Sequence, residues 1–218
     1  LRGYTNTVVT ACASGTQAIG EAAETIRRGA ADVLLAGGTE AGISQLGLGG
    51  FNTIKALSTQ NDEPHTASRP FDFTRDGFVP AEGAAVLVLE SLGHALDRGA
   101  SILAEILGHG VSSDAYHLVQ PDEHGEGAAR AIRLALEDAN IAPDGVDYIN
   151  AHGTSTPMND LSETRAIKLA FGSRAQEVPV SSTKSMVGHS LGGSGALEAV
   201  ACIKTILDGW VHPTTNYN

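Results

Sequence analysis

Short apolar runs alternate with segments of helical period along almost the whole chain, and that alternation points to a layered α/β body. Thr7–Ala11 reads as a short strand, after which Gly15, Ala18, Ile19, Ala22 and Ile26 repeat at helical spacing until Gly29. "DVLLAGGTE" (residues 32–40) and "GAAVLVLES" (83–91) read as strands covered on both faces. "ALDRGA" is a short helical link to a further strand, "ILAEILGHGV" (102–111). Beyond a polar loop, Ala128, Ile132, Leu136 and Ala139 mark a helix, "VDYINA" (146–151) a strand, "LSETRAIKLAF" a helix, "EVPVSST" a strand and "GALEAVACIKTIL" a last helix. There is no low-complexity linker and no repeat of solenoid period. The first residues read as interior strand and "HPTTNYN" has no terminating element, so both ends look cut from a longer chain.

Composition narrows the function classes. With 218 residues, 42% of them hydrophobic, the chain can build one substantial core. Fourteen basic against 25 acidic residues give a net charge of -11, which argues against a nucleic-acid partner. No run is long enough to cross a bilayer, and "LRGYTNTVV" lacks the zones of a signal peptide. Two cysteines, Cys12 and Cys202, are too few for a disulfide framework and lack CxxC spacing, which fits a reducing compartment.

Three clusters carry chemistry. In "TACASG" a thiol stands where a strand gives way to a helix, at the positive end of the helix dipole, among unpaired N–H groups that favour a thiolate. Small neighbours at Ala11, Ala13 and Gly15 leave room for a substrate carbonyl. Taken alone, a cysteine in such a setting is more commonly structural. In "NAHGTSTPMND" (150–160) His152 follows a strand, where it can act as acid, base or donor, and Thr154 and Thr156 can bind a polar chain; a capped turn explains the same residues. In "SSTKSMVGHSLGGSGALEAV" (181–200) Lys184 and His189 precede a glycine-rich helix start that permits close backbone packing. "GHSLG" within it also matches a hydrolase nucleophile elbow, with Ser190 as nucleophile and only Asp208 and His212 downstream as acid and base. Cys202, on the apolar face of the last helix, reads as core, and Arg69, Asp72, Arg75 and Asp76 in "RPFDFTRDG" read as a structural ion-pair network.

Taken together, "TACASG", "HGTST" and "STKSMVGHSLGGSG", with "RPFDFTRDGFVPAEGAAVLVLE" (69–90) and "GVSSDAYH" (110–117), resemble the Cys-His-His set and flanking motifs of the β-ketoacyl-acyl carrier protein synthases, type II enzymes above all. The resemblance covers the whole chain. It implies a thiolase-like layered α-β-α-β-α fold, incomplete here, with residues 1–100 the end of a first half and 101–218 most of a second. It implies an acyltransferase that condenses a Cys12-bound acyl group with malonyl-acyl carrier protein in fatty acid elongation, with His152 and His189 as donors to the enolate and Lys184 as electrostatic support. Glu163 would be the carboxylate partner of Lys184, Thr154 and Thr156 would hold the phosphopantetheine arm, Phe51 would line the acyl pocket and Lys55 would meet the acidic carrier protein. No metal or organic cofactor is implied; a homodimer in the bacterial cytoplasm or an organelle is. The alternatives are a type II polyketide ketosynthase, a serine hydrolase using Ser190, and a non-catalytic chain-length-factor-like partner, which lacks the nucleophilic cysteine that this chain has.

Overall fold

The structure, a computed structural model, describes residues 2–218. In chain order the elements are α1 (Ser14–Arg27), β1 (Val33–Glu40), α2 (Gln45–Thr53), β2 (Gly83–Glu90), α3 (Leu92–Asp97) and α4 (Glu126–Ala139), then β3 (Ile149–Asn150), α5 (Pro157–Phe171), β4 (Val180–Ser181), α6 (Lys184–Val187) and α7 (Ser194–Asp208). They form two compact units, each drawn from separate stretches of chain. One holds the residues up to Gly42 with Ala81–Ile106 and Ser190–Trp210; the other holds Ile43–Pro80, Leu107–His189 and Val211–Asn218.

In the first unit β1 and β2 pair antiparallel over eight residues, from Val33 opposite Glu90 to Glu40 opposite Gly83. Ile19 and Ala22 of α1, Ala36 of β1 and Ala196 of α7 form its core, with Leu34, Leu87 and Leu89 packed against them. Ala22, Ala36 and Ala196 are small, so the backbones come close. A Cβ at Gly38 would lie 2.2 Å from the Gly192 carbonyl oxygen, one at Gly195 would lie 2.5 Å from the Thr16 nitrogen, and one at Gly15 would lie 2.8 Å from the Ala196 nitrogen. Helix α1, strand β1 and the start of α7 therefore touch main chain to main chain, as the glycine-rich stretch leads one to expect.

Two strand expectations change. Among the described residues the sheet is covered on one face only: Leu35, Val86 and Val88 on the other face are 52%, 62% and 60% exposed. The apolar runs signal burial, but runs of valine and leucine do not say how many faces are covered. Thr7–Ala11 makes no ladder among the described residues and closes into a 3-10 turn at Ala11–Ala13, because β1 pairs only with β2.

In the second unit β3 and β4 pair in parallel, Ile149 opposite Val180 and Asn150 opposite Ser181. These ladders are much shorter than "VDYINA" and "EVPVSST" suggest. Helices α4 and α5 pack beside each other, and Gly125, at φ +76, lets the start of α4 approach α5: a Cβ there would meet the Ser162 carbonyl oxygen at 2.5 Å. "ILAEILGHGV" is not a strand. Its Gly108 and Gly110 lie flat on α4, where Cβ atoms would meet the carbonyl oxygens of Ala135 and Ala131 at 2.7 and 2.1 Å, while Ile106, which belongs to the first unit, packs against that unit's core. Helix α2, capped by the Ser44 hydroxyl, which accepts from Gly47 N–H at 3.1 Å, has three glycines and gives no helical signal in the sequence.

Gly38→Ala is expected to destabilise the protein by about 2 kcal/mol or more, since its methyl group meets backbone that has no room to move. Gly49→Ala in α2, where a Cβ meets nothing within 4 Å, is expected to stabilise it by about 0.5–1 kcal/mol. Urea unfolding of the two variants beside the parent checks both.

Candidate active site

The elbow at Cys12 is built in the first unit. Ala11 holds φ +50, a strained value for a residue with a side chain, and the 3-10 turn Ala11–Ala13 passes directly into α1. The Ser14 hydroxyl donates to the Ala11 carbonyl at 2.7 Å and accepts from Thr10 N–H at 2.9 Å, which locks the turn. The Cys12 thiol is not in a disulfide and is half-buried at the N-terminal end of the helix. Cys202, half-buried on α7, has its thiol pushed up to about 11 by burial and by the Glu198 carboxylate, so it stays protonated at neutral pH.

The polar cluster of the second unit centres on Lys184, whose side chain is 1% exposed. Its Nζ lies 3.3 Å from His152 Nδ1. An ammonium group only donates, so Nδ1 accepts and the ring proton of neutral His152 sits on Nε2. The His152 and His189 rings meet edge to face, 5.4 Å between centroids at 87°. His189 is 2% exposed; its backbone N–H donates to the Val79 carbonyl at 2.8 Å and its ring stands edge-on to Phe78 at 5.1 Å. Burial, then the Lys184 charge, holds His189 down at about 3. Burial, Lys184 and His189 together hold His152 well below the usual imidazole range. Both imidazoles are therefore neutral at physiological pH, and neutral rings with a fixed N–H are donors to developing negative charge rather than acids.

Glu163, the carboxylate expected beside Lys184, feels the Lys184 charge and also holds backbone. Its carboxylate accepts from the backbone N–H groups of His152 at 2.6 Å and Gly153 at 2.7 Å, which fixes the chain on which the histidine stands. Burial raises its pKa above the ordinary carboxylate value despite those bonds, and the Lys184 charge acts against the rise. The Thr154 and Thr156 hydroxyls are 2.8 Å apart, and Thr156 also caps α5, so the turn reading and the polar-site reading describe the same residues. Ser155 between them, fully buried at φ +68, accepts from Arg69 N–H at 3.0 Å through its hydroxyl and from Gly77 N–H at 3.1 Å through its carbonyl.

Phe51 reaches the cluster through Phe78, whose ring lies 5.2 Å from it at 83°. Phe78 has no distinguishing signal in the sequence; one aromatic ahead of an apolar strand reads as core. Lys55 is exposed, at φ +54 just past the end of α2. In the charged segment Arg69 faces Asp72 at 3.8 Å and Arg75 faces Asp160 at 3.4 Å, while Asp76 accepts from Ser58 and Thr59. Three of the four expected members thus form ion pairs, with Asp160 as the partner that spacing did not reveal, while Asp76 is held by uncharged donors. Ser190 is 2% exposed with its hydroxyl 3.3 Å from that of Ser194, Asp208 pairs with Lys204 at 3.0 Å, and His212 lies 3.0 Å from Thr183 Oγ1. A buried, paired hydroxyl of this kind is unlike the exposed serine of a hydrolase elbow.

Two family descriptions match: the N-terminal domain of beta-ketoacyl synthases over residues 1–95 and their C-terminal domain over residues 103–218. The chain belongs to the beta-ketoacyl synthase family. Among curated synthases it is 53% identical over 215 residues to the 3-oxoacyl-[acyl-carrier-protein] synthase 2 of Synechocystis sp., covering 99% of this chain and 52% of that protein. It is 54% identical over 209 residues to the chloroplastic 3-oxoacyl-[acyl-carrier-protein] synthase I of Hordeum vulgare, covering 96% of this chain and 45% of that one. The chain thus spans about half the length of the curated relatives it matches. Among solved structures, the ketosynthase of a type II polyketide synthase, in complex with its acyl-carrier protein, matches at a TM-score of 0.96 and 44% identity over 99% of this chain and 53% of that one. A beta-ketoacyl synthase from Burkholderia phymatum matches at 0.90 and 50% identity over 95% and 50%. The fold is the thiolase-like α/β fold of these synthases. Among the described residues no helix is long and apolar enough to cross a membrane.

The depressed histidines have a consequence for stability. Unfolded chain takes up protons on His189 below about pH 6.5, whereas folded chain does so only near pH 3, so its contribution to stability is present above pH 6.5 and lost as pH falls toward 3. Comparison with His189→Asn isolates this from the buried carboxylates Asp160 and Glu163, whose raised values act in the opposite direction. The stability difference, parent minus variant, is expected to fall by up to about 1.4 kcal/mol per pH unit between pH 6 and 4 in urea unfolding. A difference independent of pH would contradict the neutral assignment.

Proposed function

We propose that this chain carries the condensing machinery of a β-ketoacyl-acyl carrier protein synthase acting in fatty acid elongation. The observation that carries the proposal is the pair of neutral imidazoles, edge to face beside a buried ammonium, in a chain of this family. The Cys12 thiolate attacks the thioester carbonyl of an acyl group on acyl carrier protein, the carbon–sulfur bond to the enzyme forms, and the phosphopantetheine thiolate leaves. Malonyl carrier protein then loses CO2, and the electron pair of the broken carbon–carbon bond becomes an enolate. Nε2–H of His152, with the His189 ring, hydrogen-bonds the enolate oxygen, and both rings remain neutral because burial, and then the Lys184 charge, disfavours a proton on either. The enolate carbon attacks the acyl-Cys12 carbonyl and the Cys12 thiolate departs, which gives β-ketoacyl carrier protein.

No metal or organic cofactor takes part in this scheme. Thr154 and Thr156 bind the pantetheine arm, Phe51 meets the acyl chain, and Lys55 contributes to the contact with the acidic carrier protein. The working form is a homodimer in the bacterial cytoplasm or an organelle stroma. A second reading, supported by the structural match to a type II polyketide ketosynthase, keeps the same chemistry and repeats it without reduction.

Cys12→Ser is expected to abolish acylation by acyl carrier protein thioester, followed by intact-mass spectrometry, without altering the fold; Cys202→Ser is expected to do neither. His152→Ala is expected to keep acylation and to slow CO2 release from malonyl carrier protein by about 10²–10³-fold, the usual loss of one donor to an oxyanion. Loss of acylation in Cys202→Ser alone would overturn the nucleophile assignment. An unreduced poly-β-keto product instead of a single β-ketoacyl thioester would favour the polyketide reading.

A further inference from the structure

Helix α6, on which Lys184 stands, has only four residues, and the β3–β4 ladder has two pairs. Neither is long enough to hold its own backbone in place. The segment "HPTTN" (212–216), to which the reaction scheme assigns nothing, bonds to residues on both sides of Lys184. Ser182 N–H donates to the Thr214 hydroxyl at 3.0 Å. Thr215 N–H donates to the Ser185 hydroxyl at 3.0 Å, and the Thr215 hydroxyl donates to the Ser185 carbonyl at 2.9 Å. Asn216 donates to the Ser68 carbonyl at 2.9 Å, and the Ser68 hydroxyl in turn donates to the carbonyl of Lys184 itself at 2.7 Å.

His212 extends the lacing to the histidine strand. Its Nδ1 lies 3.0 Å from the Pro213 carbonyl, a pure acceptor, so in the neutral ring Nδ1 carries the proton and Nε2 accepts. Thr183 Oγ1, 3.0 Å from that Nε2, donates to it and accepts from the Asn150 amide at 2.8 Å. Asn150 is two residues before His152, and Thr183 is the residue before Lys184. The side chains thus tie the two chain segments that bring the Lys184 ammonium to His152 Nδ1.

We propose that residues 212–216 form a strap that positions the Lys184 turn against His152, with His212 and Thr215 as positioning residues that touch no substrate. The effect on turnover rests on the condensing reading above; the strap itself does not. Thr215→Val keeps the shape and the backbone N–H but loses the donor to Ser185, Thr215→Ser restores it, and His212→Leu removes the acceptor for Thr183.

Amide hydrogen exchange and the two half-reactions, measured on the same preparations, test the proposal. The expected result for Thr215→Val and His212→Leu is exchange at least tenfold faster in residues 182–188, with the global unfolding midpoint and Cys12 acylation close to the parent. The kcat for CO2 release from malonyl carrier protein falls at least tenfold with KM within twofold, and Thr215→Ser behaves as the parent. Parent-like exchange in residues 182–188, or faster exchange spread evenly over the chain with a lowered midpoint, would overturn the strap. Faster local exchange with unchanged CO2 release would overturn its positioning role. A parent protein that neither acylates nor releases CO2 would sink the condensing reading, and the exchange data would then decide the strap alone.

Discussion

An ammonium group that is almost wholly buried needs acceptors, and Lys184 finds one in His152 Nδ1 at 3.3 Å. That contact fixes several other properties of the second unit. It selects the Nε2–H tautomer of His152, and its charge, added to burial, keeps both imidazoles unprotonated. Removing the imidazole would take a buried acceptor away from the ammonium, which costs free energy. The surrounding lattice of Glu163 on the His152 and Gly153 amides, Ser68 on the Lys184 carbonyl, and the 212–216 segment holds the pair together.

The first unit solves a different problem with different means. The Cys12 thiol stands beside a strained turn, and glycines at positions 15, 38 and 195 support that turn by letting backbones of α1, β1 and the glycine-rich entry to α7 meet. Such packing leaves nothing flexible to yield, so the Ala11 strain at φ +50 is held rather than relaxed.

Much of this was legible in the sequence, for identifiable reasons. Helices α1, α4, α5 and α7 have apolar residues at helical spacing with glycine, asparagine or proline near their ends, so period and punctuation agree. The His152 and Lys184 clusters stand at strand ends, where side chains emerge from an α/β layer. Strands were less legible, because a strand exists only where a partner does. "ILAEILGHGV" is apolar enough for one, yet it makes no ladder among the described residues, and "VDYINA" keeps two ladder residues of its six. The backbone bonds that Glu163 accepts were hidden for a related reason: their donors are N–H groups, which nearly every residue has. The packing of Phe78 and the lacing by the 212–216 segment lacked a signal, since wedging between rings and bonding to backbone use ordinary residues at ordinary spacing.

The most direct measurement is a pH titration of protein labelled with 15N in its histidine rings, read by NMR. The account predicts that His152 and His189 stay neutral from pH 8 to 5, with the His152 proton on Nε2. An imidazolium at His152 or His189 at pH 7, or a His152 proton on Nδ1, would contradict it.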